Sequence, residues 1–411
     1  LSFVRETTPR PVAGPPANIV IVFLESFAFY KSSLSDNPLD PTPHVQDLAD
    51  ESRLFTRFYT PHTGTARSVF AAMTGIPDIE PVKTSSRNPL IVRQHTIANA
   101  FEGHDRLYFL GGSASWGEIR GMLAHNIPGL EIFEEGSYES PVVDTWGISD
   151  LDLFLEANAV LRERRDRPFL AIIQTAGNHR PYTIPDNHRG FETLDIPEDE
   201  ATRYGFESTA GFNAMRFMDH SVKLFLDAVR DESYYEDTVF VFFGDHGSGR
   251  RHPKHMPVSE DQLGLTQFHV PLIIHAPRMT EYVGIDDGVA SELDVLPTIA
   301  SLLGQAHVNS TFGRDLLDPG FDGQRYAFTT SHSATPEIGL IAQDHYFRVM
   351  ADGANPRLHL LASDTPRDDV SEEFPELAAR LQELVHGLYE SARLVRYRNR
   401  PEDVQRALDA R

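Results

Sequence analysis

The sequence predicts an α/β protein built on a large, mostly parallel sheet with helices on both faces, followed by a small antiparallel sheet and a helix. Three observations carry that expectation. Continuous β-branched and apolar runs recur over residues 18–304 without the alternation of a half-exposed strand, the pattern of strands buried on both faces. Amphipathic segments of helical period lie between these runs. Beyond about Arg325 the apolar runs shorten and crowd together.

Each element follows in order. Residues 1–17 (LSFVRETTPRPVAGPPA) are proline-rich and aperiodic, which predicts an extended linker. The chain starts at Leu1 rather than Met, so an upstream segment is expected to have been removed. Asn18–Leu24 (NIVIVFL) is the first buried strand, and residues 107–110, 169–174, 238–243 and 270–275 repeat its character. Helices are expected over 42–52, 65–74, 149–165, 212–230 and 291–303. Short runs at 326–329, 338–342 and 346–350 predict the small antiparallel sheet, and 374–395 an amphipathic helix packed on it. The chain therefore divides into a linker (1–17), a main domain (18–324) and a C-terminal subdomain (325–411), with no internal repeat or low-complexity tract.

Composition narrows the function. Lys and Arg number 37 against 60 Asp and Glu, a net charge of −23. That balance excludes nucleic acid as the main partner, because counterion release needs a basic footprint. It also argues against a broadly basic membrane-surface binder. Cysteine is absent, which removes disulfides, thiolate nucleophiles and zinc–thiolate sites. The apolar runs fall far short of the ~20 residues that span a bilayer.

In open α/β sheets ligands sit beyond the carboxyl ends of the strands. Glu25-Ser26 follows the first run, and Gly244-Asp245-His246-Gly247 follows the fourth. Two carboxylates and an imidazole suit Mn²⁺, Mg²⁺ or Zn²⁺. The plainer alternatives are a helix-capping Glu25 and a turn pair before Gly247. The segment His62-Thr63-Gly64-Thr65-Ala66-Arg67-Ser68 places a glycine and then a hydroxyl at a helix start, where free N–H groups attract anions. A threonine there can be a simple N-cap. As a nucleophile it needs activation, and a metal is one of the few ways to supply it. Thr65 fits the helix start better than Thr63. Residues 250–255 (RRHPKH) put three full positive charges just after Asp245-His246. They would draw in an anionic ester or lipid headgroup, or form an ordinary solvated loop. His252 and His255 are candidates for a second metal site.

The segments VFLES, TGTARSVFAAMTGIP, NHRPYTIP, VFFGDHG, FHVPLII and ELDVLPTIASLLG resemble the alkaline phosphatase superfamily. Within it they look most like the sulfatase-like branch of lipoteichoic acid synthases and phosphoglycerol transferases. The resemblance implies an alkaline-phosphatase-like three-layer sandwich. It also implies one divalent metal, Mn²⁺ foremost with Mg²⁺ or Zn²⁺ as alternatives, held by Glu25, Thr65, Asp245 and His246. His179, in Asn178-His179-Arg180-Pro181-Tyr182-Thr183, would face the phosphate as hydrogen-bond donor or acid. Metal-activated Thr65 would attack in line, and the resulting Thr ester would pass to an alcohol or to water. Substrate contacts are expected from Trp116, Arg120, Arg67 and His255. Ser113 and Glu118 stand where the branch has an acid and an arginine, so the glycerol-phosphate subsite departs from the branch pattern. The expected function is a metal-dependent phosphoglycerol transferase-like enzyme. The alternatives are a sulfatase or phosphonate/phosphodiester hydrolase using water and, last, a silent binding domain. No C/S-x-P-S-R motif occurs, which sets aside a formylglycine arylsulfatase, and the missing cysteines weigh against the phosphoethanolamine transferase branch. The resemblance further implies an extracytoplasmic domain whose membrane anchor precedes Leu1. Asp294, in ELDVLPT, is expected to cap the helix over 291–303.

Overall fold

A computed structural model describes residues 4–8, 14, 17–249 and 252–411. Its strands in chain order are β1 (Arg5–Thr7), β2 (Asn18–Leu24), β3 (Arg53–Tyr59), β4 (Asp105–Leu110), β5 (Leu130–Phe133), β6 (Phe169–Gln174), β7 (Thr238–Gly244), β8 (His269–His275), β9 (Gly284–Asp286), β10 (Ala290–Ser291), β11 (His307–Asn309), β12 (Ala327–Thr330), β13 (Glu337–Ala342), β14 (His345–Met350) and β15 (Arg357–Leu360). The α-helices are α1 (Pro43–Asp50), α2 (Thr65–Thr74), α3 (Ile119–Asn126), α4 (Asp150–Leu161), α5 (Glu198–Arg203), α6 (Thr209–Arg230), α7 (Val258–Gln262), α8 (Val295–Leu302), α9 (Pro375–Val395) and α10 (Pro401–Asp409).

The central sheet runs β10-β3-β8-β7-β2-β6-β4-β5, with β9 also paired to β3. Its pairings are parallel except those of β8 with β7 and with β3. The sheet is thus mostly parallel, as the apolar runs imply. Successive side chains of a strand point to opposite faces, and β2 shows the consequence. Ile19, Ile21 and Phe23 join Val69, Phe70, Met122 and Ile299 of α2, α3 and α8 on one face. Val20, Val22 and Leu24 join Val45, Phe154 and Met215 of α1, α4 and α6 on the other. Each such side chain, fully buried, contributes about 1.5–3 kcal/mol. The result is helix, sheet, helix: three layers.

The helix starts have identifiable causes. Ser149 and Ser208 cap α4 and α6 by accepting the N–H of Asp152 and Gly211. Asp219 of α6 accepts the His44 and Val45 amides, satisfying the first turn of α1. α4 ends at Leu161, short of the expected residue 165, where the sequence turns to charge (RERRDR) and no longer has an apolar face to bury. Asp294 completes a capping box with Ser291, in keeping with its expected role, and also pairs with buried Arg314.

The C-terminal strands form an antiparallel sheet in the order β12-β13-β14-β15. β15 and α10 are additional to the expected elements. α9 packs on β13 and β14, and Leu340, Phe347, Leu381 and Val385 belong to the same apolar cluster as α2 and α8. Much of the expected linker lies outside the described residues. Within it, β1 pairs antiparallel with β11, and the Arg5 guanidinium donates to the carbonyls of Thr311 and Gly313. No helix among the described residues is long and apolar enough to cross a membrane.

Candidate active site

Strand register assembles the site. β2 and β7 are aligned so that Leu24 faces Gly244, which brings Glu25 and Asp245 out of neighbouring strands at one level. β6 and β4 continue the alignment through Phe23–Gln174 and Leu110–Gln174. Four adjacent parallel strands therefore end on one patch, the place where open α/β sheets hold ligands.

Three ligand-type side chains meet there. Carboxylate oxygens of Glu25 and Asp245 and a ring nitrogen of His246 lie within 4.8 Å of one another. Glu25 and Asp245 are buried, Asp245 completely. Ser26, in a left-handed conformation (φ 51°), donates its N–H to Asp245 Oδ1 at 2.7 Å and its hydroxyl to Glu25 Oε1 at 2.7 Å. Asp245 Oδ2 is buried without a hydrogen-bond partner. His246 Nδ1 lies 2.8 Å from the Gly247 carbonyl, which can only accept, so the proton sits on Nδ1. Nε2 then faces the carboxylates, 3.6 Å from Asp245 Oδ2 and 4.0 Å from Glu25 Oε1.

Electrostatics describe a site short of positive charge. Burial and the nearby Glu25 carboxylate raise the pKa of Asp245. Burial pulls His246 down, but Asp245 and Glu25 outweigh it and hold the imidazole above its usual value. An orphaned buried carboxylate oxygen, a second carboxylate and an oriented imidazole nitrogen are the donors that a divalent cation takes. The residues present fit such an ion.

Thr65 is the first residue of α2, preceded by Gly64 at φ +102°, a backbone angle that side-chain-bearing residues rarely adopt. Its hydroxyl is buried and donates to Glu25 Oε2 at 3.1 Å. The positive end of α2 faces the same space. Behind it, Ser68 donates to the fully buried Glu292, whose pKa burial raises well above the carboxylate range.

A cavity of about 390 Å³ opens over these groups, lined among others by Glu25, Thr65, His246, Trp116, Trp146 and His179. Both tryptophans of the chain therefore reach the site. The Trp146 ring lies 4.1 Å from the His179 ring and 6.0 Å from Trp116, and its indole N–H donates to the Arg180 carbonyl at 2.7 Å. Gly147 makes this docking possible, because a Cβ there would stand 2.0 Å from the Gly111 carbonyl oxygen. Sequence reasoning missed Trp146. Its one signal was a rare, bulky aromatic in a polar loop.

The structure sends other expected residues elsewhere. Arg67, expected at the substrate, is buried against Asp78 at 3.1 Å and donates to the carbonyls of Glu80 and Lys83. Arg120 pairs with Glu134 and reaches Ser115 rather than the cavity. His255 Nε2 lies 2.9 Å from the Tyr30 carbonyl and 3.2 Å from Ser35 Oγ. His252 pairs with Asp261, so neither histidine joins the Glu25 cluster. Arg250 and Arg251 lie outside the described residues. Thr63 instead uses its backbone, the N–H to His62 and the carbonyl to His332.

Comparison with known proteins adds an independent line. The Sulfatase family model matches residues 17–305. A lipoteichoic acid synthase-like protein of Bacillus subtilis, YvgJ, is 26% identical over 319 residues, 73% of this chain and 49% of that protein. The chain spans about half the length of the curated relatives it matches. Two solved structures share the fold. A Vibrio parahaemolyticus protein in the alkaline phosphatase superfamily gives a TM-score of 0.78 at 22% identity, covering 97% of this chain and 92% of that one. The lipoteichoic acid synthase LtaP of Listeria monocytogenes gives 0.77 at 18% identity, covering 94% of each chain.

Proposed function

The chain belongs to the sulfatase family, a family of enzymes within the alkaline phosphatase superfamily, and from that premise we propose a metal-dependent phosphoryl transferase acting through Thr65. Phosphodiester or phosphoglycerol headgroups are its substrates. One observation carries this reading: a buried threonine hydroxyl at a helix N-terminus, hydrogen-bonded into the Glu25–Asp245–His246 cluster of cation-type ligands. Glu25, Asp245, His246 and the Thr65 hydroxyl would hold one divalent ion, with Mn²⁺ the first choice and Mg²⁺ or Zn²⁺ the alternatives. When bound, that ion supplies Lewis-acid charge that offsets both carboxylates and lowers the pKa of the hydroxyl.

The remaining steps belong to the side chains. The Thr65 hydroxyl proton already points at Glu25 Oε2, which takes it as the oxygen attacks phosphorus. The new O–P bond forms as the bond to the leaving alcohol oxygen breaks, and His179 gives that oxygen a proton. The N-terminus of α2 faces the charged non-bridging oxygens. An acceptor alcohol, or water, then attacks the Thr65 ester and gives its proton to His179, while the departing Thr65 oxygen takes back the proton held by Glu25. The reading places this chemistry outside the cytoplasm, on a membrane-anchored protein that meets lipid-linked headgroups there.

A hydrolase reading on sulfate, phosphonate or phosphodiester has support of its own. Ser113 replaces the expected acid and Arg120 is committed to Glu134, so the glycerol-phosphate subsite of the branch is incomplete. Intact-protein mass spectrometry after incubation with phosphatidylglycerol and Mn²⁺ tests the transferase. The expected result is a glycerophosphoryl adduct on Thr65, with diacylglycerol released, absent in Thr65→Ala. Turnover of an aryl sulfate faster than an aryl phosphodiester, without an adduct, would replace the transferase with the hydrolase.

A further inference from the structure

α9 leaves a groove against the main domain, away from the catalytic cavity. Its volume is about 750 Å³, and it shares no lining residue with that cavity. Phe312, Tyr326 and Leu384 give it apolar walls, and Arg5, Arg314 and Arg380 give it charge. Glu383 is the one acidic residue that lines it among the described residues. Asp294 balances Arg314, which leaves Arg5 and Arg380 against Glu383, a small positive excess in a chain of net charge −23.

Arg314 is the unusual member. Its side chain is 7% exposed. Nε and Nη2 are taken by Asp294, Nη2 also donates to the Tyr326 carbonyl, and the guanidinium lies 4.1 Å over the Tyr326 ring. Nη1 is buried with no hydrogen-bond partner. A buried donor left unpaired costs about 1–3 kcal/mol, more when charged. Arg5 stands near enough that the two like charges act on each other.

We propose that this groove binds an anionic phospholipid, its acyl chain along Phe312 and Leu384 and its phosphate among the guanidiniums of Arg314, Arg5 and Arg380. The volume falls in the range of roughly 300–1,000 Å³ typical of small-ligand sites. Guanidinium–phosphate pairs are charge-assisted and directional. A phosphate would supply the acceptor that Arg314 Nη1 lacks and separate the charges of Arg5 and Arg314. The apolar walls require more than a free ion, which commits the occupant to a lipid.

Titration calorimetry of the full chain with monomeric dihexanoylphosphatidic acid tests the site. Saturable binding is expected, weakened about tenfold or more by Arg380→Glu, on the exposed face of α9, and by Leu384→Asp. Trp116→Ala, in the catalytic cavity, leaves binding unchanged. Unaltered melting of each variant verifies its fold. Equal affinity for dihexanoylphosphatidylcholine would overturn the charge argument. Equal affinity for inorganic phosphate would reduce the site to a bare anion site and overturn the lipid. Indifference to both α9 variants, or loss in Trp116→Ala, would move the ligand elsewhere and overturn the proposal.

Discussion

Substituting Asp245→Asn has opposite expected effects with and without metal. The Ser26 N–H that reaches Oδ1 at 2.7 Å can be kept by the amide oxygen. The orphaned Oδ2 becomes an NH₂, and one of two like charges disappears from a cluster whose atoms lie within 4.8 Å. At that separation and an effective dielectric near 20, the repulsion removed is about 3 kcal/mol. Losing the attraction to His246 offsets that repulsion, and relief of the charge's burial, the largest cause of the raised Asp245 pKa, leaves a net gain of about 1–2 kcal/mol in metal-free protein. A chain of this length has an unfolding entropy of about 0.9 kcal/mol per degree, so the metal-free Tm rises by about 1–2 °C. The wild type gains about 2.7 kcal/mol, or about 3 °C, from metal at a hundredfold excess over Kd. The variant loses that shift. Scanning calorimetry of both proteins in EDTA and in Mn²⁺ measures all four values. A variant that melts below wild type in EDTA would refute the repulsion argument, and one that keeps the Mn²⁺ shift would remove Asp245 from the ligand set.

Other outcomes follow from the same geometry. Thr65→Ala is expected to lower turnover of an aryl phosphodiester by about 10³-fold or more, while Thr65→Ser keeps a measurable adduct. Trp146→Ala removes the ring beside His179 and the bond to the Arg180 carbonyl. It is expected to lower kcat/KM about ten- to a hundredfold with the Mn²⁺-induced Tm shift intact. Glu292→Gln bears on pH. Burial raises the folded-state pKa of Glu292, so its stabilising share is present below the unfolded carboxylate pKa and lost as pH rises through the folded value. Urea midpoints at about pH 5 and about pH 9 are expected to fall further in wild type than in Glu292→Gln.

The central strands were legible because a strand buried on both faces is apolar along its length, and β2, β6 and β7 are so except for one polar residue at an end of each, Asn18, Gln174 and Thr238. β3 was not, because RLFTRFY carries two arginines and a register shift between Phe55 and Phe58, which break the pattern. Glu25, Asp245 and His246 could be singled out because strand ends fix their place to within a residue. Arg67, Arg120 and His255 could not be placed. Their side chains are engaged by partners near at hand, Asp78, Glu134 and the Tyr30 carbonyl, and spacing along the chain does not say which way they turn. Trp146 depends on the interlocking of Gly112 and Gly147, two loops separated in sequence and joined only in the fold.

Those displaced arginines change how the site must work. With Arg67 and Arg120 committed elsewhere, no lysine or arginine lines the cavity among the described residues. Its fixed positive features are His246 and the N-terminus of α2, and two carboxylates stand directly before the nucleophile. An anionic ester approaching that surface alone meets net repulsion. On the proposed reading, a divalent ion must offset Glu25 and Asp245 before the ester can settle, and the ester in turn adds negative charge that strengthens the hold on the ion. Cation and substrate then raise each other's affinity by the same factor, a reciprocity that linkage requires. The acidic chain does not contradict an anionic substrate: it transfers the task of attracting one from arginine side chains to the metal.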